Sequence, residues 1–472
     1  MKQLILIAAV LLISGCSAVR EYKRPDMKAG FDTINLLEAN DVRFQAADPV
    51  IKWWQHFNDP QLNTIMTKAL DGNLDIQIAA ANYLEARSLA REAGFDRYPT
   101  VTTSASYSRL RLSEETISGV PPDNSGSEYA AGLDGFWTLD LYGRVSQTIA
   151  SQEARRDAAI ATLQDVYVSV AAEVARTYIE LRGAQHRLAI AERNANNQEE
   201  TFKFTQRLAE GGRSTNLDLA RARTQLDSTL ATIPQLQSEV AAAIHRLSVL
   251  TGQIPDALRN DLTAKKPLPS LPMSIAVGDT NSLLKRRPDI RQAERGLASL
   301  VAQYNVVAAD LFPSVNLIGA IGFIANSLSD SVTGSAIAGN LGPSISWAAF
   351  DLGRVRARID QADALTLEAL ARYEQTVLRA LEETQTALSD FSFEEQRRQK
   401  LQSAAVSSNE AAILARQRFE AGIDTFLDVL DAERTQLEAE DTLAISGINA
   451  AQDLIAIYES LGGGWQMTTL PE

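Results

Sequence analysis

The sequence predicts an α+β membrane protein in which amphipathic β-strands cross a membrane and very long α-helices follow them in the chain. First, the sequence repeats itself with a constant offset of about 210 residues, as expected of a tandem duplication. Second, each repeat contains a segment in which apolar and polar residues alternate, preceded by a partner run rich in Thr, Ser, Val and Ile. Third, each pair is followed by a long run almost free of glycine and proline, which favours helix.

The composition excludes several classes of function. The formal net charge of −14 argues against a nucleic-acid partner, because phosphate binding requires clustered Lys and Arg. His56, His186 and His245 are scattered and lack the spacing of metal ligands. The sequence contains neither a glycine-rich phosphate loop nor a Gly-x-Ser-x-Gly elbow. We therefore expect no cofactor, no metal and no catalytic residue, and the chain is not expected to be an enzyme.

The N-terminus has the features of a lipoprotein signal. A short basic start precedes an apolar run of about ten residues, too short for a spanning helix, which takes ~20. The run ends just before Cys16, the only cysteine, which is preceded by small residues. We predict cleavage and lipidation at Cys16 rather than a chance cysteine near a cleavage site, because a sole cysteine cannot form an internal disulfide and this one lies where a lipoprotein box places it. Two or three acyl chains would anchor the protein far more firmly than one. Ser17 at the next position, rather than Asp, is typical of export to outer-membrane lipid.

The strands are expected to carry any further membrane crossing, because no later segment is expected to span a bilayer as a helix. A tilted strand of roughly 9–11 residues is long enough to cross. Four strands cannot close a barrel, since the smallest barrels have about eight, and open edges would leave amides unpaired in lipid. The strands must therefore pair with copies of the chain, and both dimers and trimers satisfy this requirement. The predicted strands are residues 101–109, 129–141, 315–325 and 341–349.

Each strand pair is followed by a helix of ~100 Å, at a rise of 1.5 Å per residue. The returning helices are about half as long, and two further helical segments can complete them end to end, giving four columns per protomer. Trp53, Trp54 and Phe57 beside an Asn-Asp-Pro turn are expected to pack a helix start into a core. The long helices are predicted at 145–210 and 355–421, the returning ones at 215–250 and 425–461, and the completing segments at 62–93 and 280–309.

These features divide the chain into segments. The predicted order is a signal peptide at 1–15, a lipidated N-terminal segment of the equatorial region at 16–60, a first repeat at 61–260, an equatorial linker at 261–279, a second repeat at 280–465 and a C-terminal tail at 466–472. Each repeat comprises a helix, a β-hairpin and a long helical hairpin.

The ordered motifs along the mature chain resemble the TolC-type outer-membrane factors, in particular the lipidated OprM/NodT branch. The resemblance rests on Cys16 and on the stretches at 22–25, 53–62, 286–294, 311–313, 351–354 and 427–432. It implies a homotrimer whose twelve-stranded barrel continues into a long α-helical barrel in the periplasm. It also implies a periplasmic adaptor (membrane fusion) protein and an inner-membrane pump as partners, and no cofactor.

A passive duct must stay closed at its periplasmic end. Asp424, Asp428 and Asp431 follow the second helical turn at spacings that place them on one helix face, where symmetry would stack acidic rings. The resemblance supports this gate, because some members carry luminal aspartates or an acidic constriction residue at these positions. Acids in a first helical turn also favour the helix dipole, and Thr425 with Asp428 is a capping pair, so a purely structural role is the alternative.

The helical turns themselves, at Gly211, Gly212, Gly422 and Ile423, are the expected adaptor-contacting tips, since the family docks tip to tip. The sequence thus indicates an outer-membrane duct that conducts substrates passively from adaptor and pump to the exterior. The alternative is a structural envelope lipoprotein that bridges layers without conducting. The four amphipathic strands favour the duct, because a bridging coiled coil has no use for a barrel.

Overall fold

The computed structural model describes residues 19–25, 43–45, 47–48, 50–111 and 125–467. The predicted signal peptide, Cys16 and the last five residues of the C-terminal tail lie outside the described residues. The chain divides into two compact units. The sheet unit comprises the described residues of Met1–Pro25, Tyr83–Ala159 and Gln292–Glu374, and the hairpin unit those of Asp26–Asn82, Ile160–Arg291 and Gln375–Glu472.

The order of elements follows the predicted repeat. The strands are β1 (Phe44–Gln45), β2 (Thr100–Arg111), β3 (Ser125–Leu139), β4 (Ile275–Ala276), β5 (Ser314–Ala325) and β6 (Ile337–Ser346). The helices are α1 (Pro60–Gly72), α2 (Leu74–Phe95), α3 (Arg144–Glu210), α4 (Asn216–Leu250), α5 (Arg259–Leu262), α6 (Thr280–Arg286), α7 (Pro288–Ala308), α8 (Leu352–Glu420) and α9 (Phe426–Ser460).

The sheet unit contains an antiparallel sheet in the order β2-β3-β5-β6, so the prediction of four strands in two hairpins is confirmed. The fourth strand lies earlier than predicted, because Ser346 pairs with Ser314, the first residue of β5, and the ladder ends there. Within the described part of the chain, β2 and β6 each have a single neighbouring strand. The sheet is therefore open at both edges.

Trp137 and Trp347 make equivalent hydrogen bonds in the two repeats. The indole Nε1 of Trp137 donates to the carbonyl of Arg97 at 3.1 Å, and that of Trp347 donates to the carbonyl of Leu311 at 3.0 Å. Each accepting residue lies three positions before the strand that opens its hairpin. The sequence pattern had placed Trp347 inside the fourth strand. In the structure Trp347 lies one residue beyond the end of β6.

The two long helices are confirmed at 67 and 69 residues, α3 and α8. Gly183, the single glycine inside α3, lies against α9, where an added Cβ would come within 2.3 Å of Ile448 Cδ1. Glycine there allows the two helices to approach closely.

By length and composition alone, α3 also contains a window apolar enough to span a membrane, and half of that window is buried. The expectation that no later segment would pass this test was therefore wrong. Because half of this window is buried inside the protein, as in a helix of a bundle, it is only weak evidence for a membrane-spanning helix.

The two completing segments differ from the prediction in the same way, since each is broken into two helices, at Asn73 and at Arg287. Asn73 Oδ1 accepts from the backbone amides of Asp75 and Ile76 at 2.9 and 3.2 Å, which starts a new helix. Pro288 follows Arg287, and the residue before a proline is disfavoured in the α conformation. Helix propensity could not reveal the break at Asn73, because that break depends on hydrogen bonds made by the Asn73 side chain.

Each break joins a returning helix, as expected for half-helices that meet end to end. Asn73 Nδ2 donates to the carbonyl of Leu250 at 3.0 Å, at the end of α4. At the second break, an Arg287 guanidinium nitrogen donates to the carbonyl of Ser460 at 2.8 Å, at the end of α9. We call these contacts the first and second joints. Both satisfy carbonyls that a helix end would leave without partners.

The aromatic residues before α1 form a core beside the second joint, as predicted. Trp53, Trp54 and Phe57 are buried, and the Trp53 ring stacks on Tyr458 with centroids 5.1 Å apart. Asp59 then caps α1 by accepting from the amide of Gln61 at 2.8 Å. The aromatic core and the Asp59 cap therefore fix the start of α1 within the hairpin unit.

Candidate functional site at the tips of the helical hairpins

Both hairpin tips reverse the chain through the same backbone motif. Gly212 and Gly422 have φ of 70° and 73°, the left-handed conformation that glycine adopts without strain. The next residue in each turn, Arg213 or Ile423, donates its amide to the carbonyl five positions back, at 2.7 and 2.9 Å. The expected role of glycine is confirmed at these two positions. Gly211 keeps a negative φ, and its counterpart in the second repeat is Ala421.

The helices that leave both tips begin with a Thr–Asp pair. The Asp428 carboxylate accepts from the backbone amide and the hydroxyl of Thr425, at 3.0 and 2.6 Å. Asp218 accepts from the same two groups of Thr215, at 3.3 and 2.7 Å. The threonine bonds hold the pKa of Asp218 below its usual value. Because both repeats share this pair, Asp428 has a helix-capping role that needs no symmetry partner.

Asp424 lies in the second tip and is held by Arg418 in a two-point ion pair, with N–O distances of 2.6 and 2.9 Å. The hydrogen bonds from Arg418 lower the pKa of Asp424, so the carboxylate is ionised at neutral pH. The first repeat carries Ser214 in place of Asp424. This charge pair is therefore specific to the second hairpin.

Asp431, the third predicted gate residue, is exposed and lies 3.0 Å from Arg434 one turn later. All three predicted carboxylates thus lie at the second tip or in the first turns of α9, and each has a partner within its own chain. The acidic character that the sequence suggests is partly offset by Arg418 and Arg434.

The sequence reading missed a buried polar contact that links the two hairpins below the tips. Glu433 is 4% exposed, and its Oε1 accepts from Thr201 at 2.8 Å and from Arg416 at 2.7 Å. Thr201 belongs to α3, whereas Arg416 and Glu433 belong to α8 and α9. A signal was present, because Glu433 falls in helical phase with buried Phe426 and Val429.

Aromatic rings pack beside this contact. Phe419 lies between Phe204 of the first hairpin and Phe426 of the second, with ring centroids 5.6 and 5.8 Å away and edge-to-face geometry in both pairs. The two tips are therefore held together by an apolar cluster and by the Glu433 contact. Separating the hairpins at this end requires breaking both.

A charged cavity of about 720 Å³ lies beside the second joint of the hairpin unit. Its acidic lining residues are Asp165, Asp289, Glu382, Glu383, Asp390 and Glu459, and its basic ones are Arg287 and Arg379. Burial, reinforced by Asp289, raises the pKa of Asp165 to about 6. Among the described residues, no cluster has the composition of a metal site.

The raised pKa predicts a pH-dependent cost of folding. The folded state holds a proton on Asp165 more tightly than the unfolded chain, so this group lowers stability as pH rises from about 4 to 6. We expect Asp165→Asn to stabilise the protein at pH 7 by about 3 kcal/mol and to give little gain at pH 4. Unfolding midpoints in detergent at both pH values measure this difference, and an equal gain at both would refute it. Exposed Glu438→Gln is the control.

The comparisons with known proteins agree on one family. The sequence model of the family described as "Outer membrane efflux protein" matches residues 65–253 and 280–463, more than half of the chain. The solvent efflux pump outer membrane protein SrpC of Pseudomonas putida is 29% identical over 473 residues, covering 98% of each chain. The cation efflux system protein CusC of Escherichia coli O157:H7 is 29% identical over 472 residues, covering 97% of each chain.

Among solved structures, the outer-membrane channel OprN matches with a TM-score of 0.87 and 40% identity, covering 96% of this chain and 100% of OprN. The resemblance that the motifs indicated is confirmed, together with the TolC-like α+β fold class and the role of an outer-membrane efflux channel component. The chain belongs to the outer membrane efflux protein family.

Proposed function

We propose that this chain is the outer-membrane duct of a tripartite efflux or secretion system. In this proposal it works as a homotrimer that receives substrate from a periplasmic adaptor and an inner-membrane pump and conducts it passively to the exterior. Its two repeats are 61–260 and 280–465, flanked by the lipidated segment 16–60 and the tail 466–472 and joined by the linker 261–279. Membership of the efflux family supports the proposal.

The observation that carries the proposal is the open four-stranded sheet. The outer edges of β2 and β6 lack a strand partner among the described residues. In a bilayer each unpaired amide or carbonyl would cost several kcal/mol, so these edges need strands from other copies. Three copies supply twelve strands, enough for a closed barrel with an interior.

The anchor and the partners extend the proposal beyond the sheet. Acyl chains on Cys16 hold the protein to the outer membrane, and the tips at Gly211, Gly212, Gly422 and Ile423 contact the adaptor. The exposure of all four tip residues supports docking there. SrpC is named as part of a solvent efflux pump and CusC as part of a cation efflux system, and both have the same sequence identity to this chain, 29%. We therefore propose that the inner-membrane pump, rather than this duct, selects the cargo.

The gate is proposed at the second tip. Asp424, Asp428 and Asp431 form acidic rings around the symmetry axis, with Arg418 holding Asp424 in place. Removing the carboxylates lowers the attraction for cations. It also removes the Arg418–Asp424 ion pair and the Thr425–Asp428 hydrogen bonds, which loosens the turn that holds the tip closed. The exposure of Asp431, 67% for its side chain, supports its availability to such a ring.

Two measurements test the proposal. Outer-membrane fractions should contain a heat-labile species of three chains, and recovery of monomers alone would refute the trimer. In planar bilayers, Asp424→Ala with Asp428→Ala should conduct better than wild type and lose cation preference. An unchanged double variant would reduce these aspartates to helix-stabilising residues, whereas absence of conductance from folded trimers of either protein would favour the structural-bridge alternative.

A further inference from the structure

The hairpin unit contains a second cavity, of about 560 Å³, which is lined by α3, α4 and α9. Binding pockets for small molecules have volumes in the same range. This cavity shares no lining residue with the charged cavity beside the second joint. Its surface is largely apolar and is formed by Ala184, Ala242, Ala243, Ile445 and Ile448. We call it the alanine cavity.

Small side chains create this space. Ala184 and Ala243 are 6% and 8% exposed and are too short to fill the gap between α3 and α4. Gly183, next to Ala184, lies against the Ile448 side chain, which is therefore fixed as one wall of the cavity. Further toward the tips, α3 and α4 pack the larger side chains of Leu188 and Leu236 in an apolar cluster. The sequence thus leaves room at one level of the helices and fills the next.

Arg187 bounds the alanine cavity on the side of the tips. Its guanidinium nitrogens lie 2.7 Å from Asp441 on α9 and 3.7 Å from Glu239 on α4, so the side chain bridges the two helices. A smaller cavity of about 260 Å³, which Arg187 also lines, lies beyond it. At the rim, Arg246 pairs with Glu173. Arg187, Glu239 and Arg246 are therefore neutralised by partners within the chain.

Glu180 is the one charged residue of the lining that has no ion pair in the part of the chain that the structure describes. Its Oε1 accepts a hydrogen bond from Gln452 at 3.3 Å. Arg176, one turn earlier on α3, is already paired with Glu459. Partial burial raises the pKa of the Glu180 carboxyl group, because its ionised form loses hydration there. A cation in the cavity would offset that loss.

The alanine cavity lies on the face of α9 that carries the proposed gate. Glu438, seven residues after Asp431, lines the smaller cavity, and Ile445, fourteen residues after Asp431, lines the alanine cavity. Residues seven positions apart are separated by two helical turns and lie on the same face. With Asp431 directed to the symmetry axis, the alanine cavity opens to the interior of the duct.

We propose that the alanine cavity binds amphipathic organic cations on the inner wall of the helical tunnel. Glu180 receives the positive charge, and the alanine and isoleucine side chains receive the apolar body. The position on the inner wall rests on the proposed function, whereas binding to the cavity does not. An apolar pocket with a single free charge is typical of sites for small molecules. Cargo of this class would occupy the site on its way through the duct.

The test uses two probes of the same shape and opposite charge, tetraphenylphosphonium and tetraphenylborate. Titration calorimetry measures their binding to folded protein in nanodiscs of zwitterionic lipid, where partition into the lipid is the same for every variant. Glu180→Gln removes the charge and keeps the shape, and Ala242→Leu fills the cavity from an exposed position. Glu200→Gln, which alters an exposed glutamate further along α3, is the matched control.

We expect wild type to bind tetraphenylphosphonium more tightly than tetraphenylborate. Glu180→Gln should weaken binding of the cation about tenfold, because its attraction to the carboxylate is lost, and should not weaken binding of the anion. Ala242→Leu should weaken both, and Glu200→Gln neither. A wild-type protein that binds the cation no better than the anion would overturn the site. Equal affinity of wild type and Glu180→Gln for the cation would also overturn it.

Conductance in planar bilayers separates this site from the duct. Tetraphenylphosphonium should reduce the current through wild-type channels, and should reduce it less in Glu180→Gln channels. Bound cation without any loss of current would overturn the position on the inner wall. Conducting channels that do not bind the cation would overturn the site and leave the duct standing. Folded trimers that bind the cation but never conduct would contradict the duct and leave the site standing.

Discussion

Replacing Gly252 with alanine is expected to destabilise the protein by about 3–4 kcal/mol, because two costs add there. Gly252 has φ of 72°, a conformation that strains any residue with a Cβ. A Cβ at this position would also lie 2.1 Å from the carbonyl oxygen of Gly72, a backbone atom that cannot rotate away. The first joint, where α1 ends against α4, would have to separate.

Two other glycines with positive φ serve as matched controls, because an added Cβ would lie farther from neighbouring atoms there than at Gly252. Gly462, the counterpart of Gly252 at the second joint, has φ of 66° and would place a Cβ 3.2 Å from Arg287 Cα. Gly422 has φ of 73° and open space around it. Thermal midpoints in detergent should fall most for Gly252→Ala, less for Gly462→Ala and least for Gly422→Ala, which carries only the ~1 kcal/mol of backbone strain. Equal losses in all three would refute the close approach at the first joint.

Loss of the Glu433 carboxylate should have the largest effect on closure of the tips. Glu433→Ala leaves Arg416 without its carboxylate, and Arg416 Nε is already buried with no hydrogen-bond partner among the described residues. Removing the carboxylate costs about 1–3 kcal/mol, because it leaves the largely buried Arg416 side chain, 28% exposed, without its ion-pair partner. We expect a lower thermal midpoint and a larger mean conductance in planar bilayers, because the aromatic cluster alone then holds the second hairpin to α3 at this end.

Two further variants separate the parts of this effect. Thr201→Val removes only the hydroxyl that joins α3 to Glu433 and should cost about 1 kcal/mol. Exposed Glu438, one turn and a half further along α9, gives the charge-matched control Glu438→Ala. A Glu433→Ala protein as stable and as tightly closed as the Glu438→Ala protein would show that the buried contact does not hold the tips.

The sequence could predict elements whose signals are local. Alternation over Tyr129 to Leu139 and the absence of glycine and proline from Val355 to Glu420 were enough for a strand and a long helix, because each pattern depends on neighbours in the chain. The break at Asn73 could not be found this way. Asn73 starts the second helix by accepting from the amides of Asp75 and Ile76. Its side chain also bonds Leu250, 177 residues away, and no local propensity encodes that partner.

The candidate site divides in the same manner. The turn glycines were readable from the sequence, and the acidic positions were readable from their spacing along one helix face. The partner of Asp424 was not, although Arg418 is only six residues away, because a charge pair across a turn depends on the turn geometry. Glu433 was missed for a different reason. A polar residue on a helix is usually solvated, and only the packing of distant segments shows that this one is buried.

The most direct test of the duct is the conductance of the purified wild-type protein in planar bilayers, measured on material that migrates as folded trimers before heating. We predict discrete, low-conductance steps with a preference for cations, from a pore of three chains whose tips are closed by Asp424, Asp428 and Asp431. Folded trimers that never conduct, even after Glu433→Ala loosens the tips, would contradict a conducting duct.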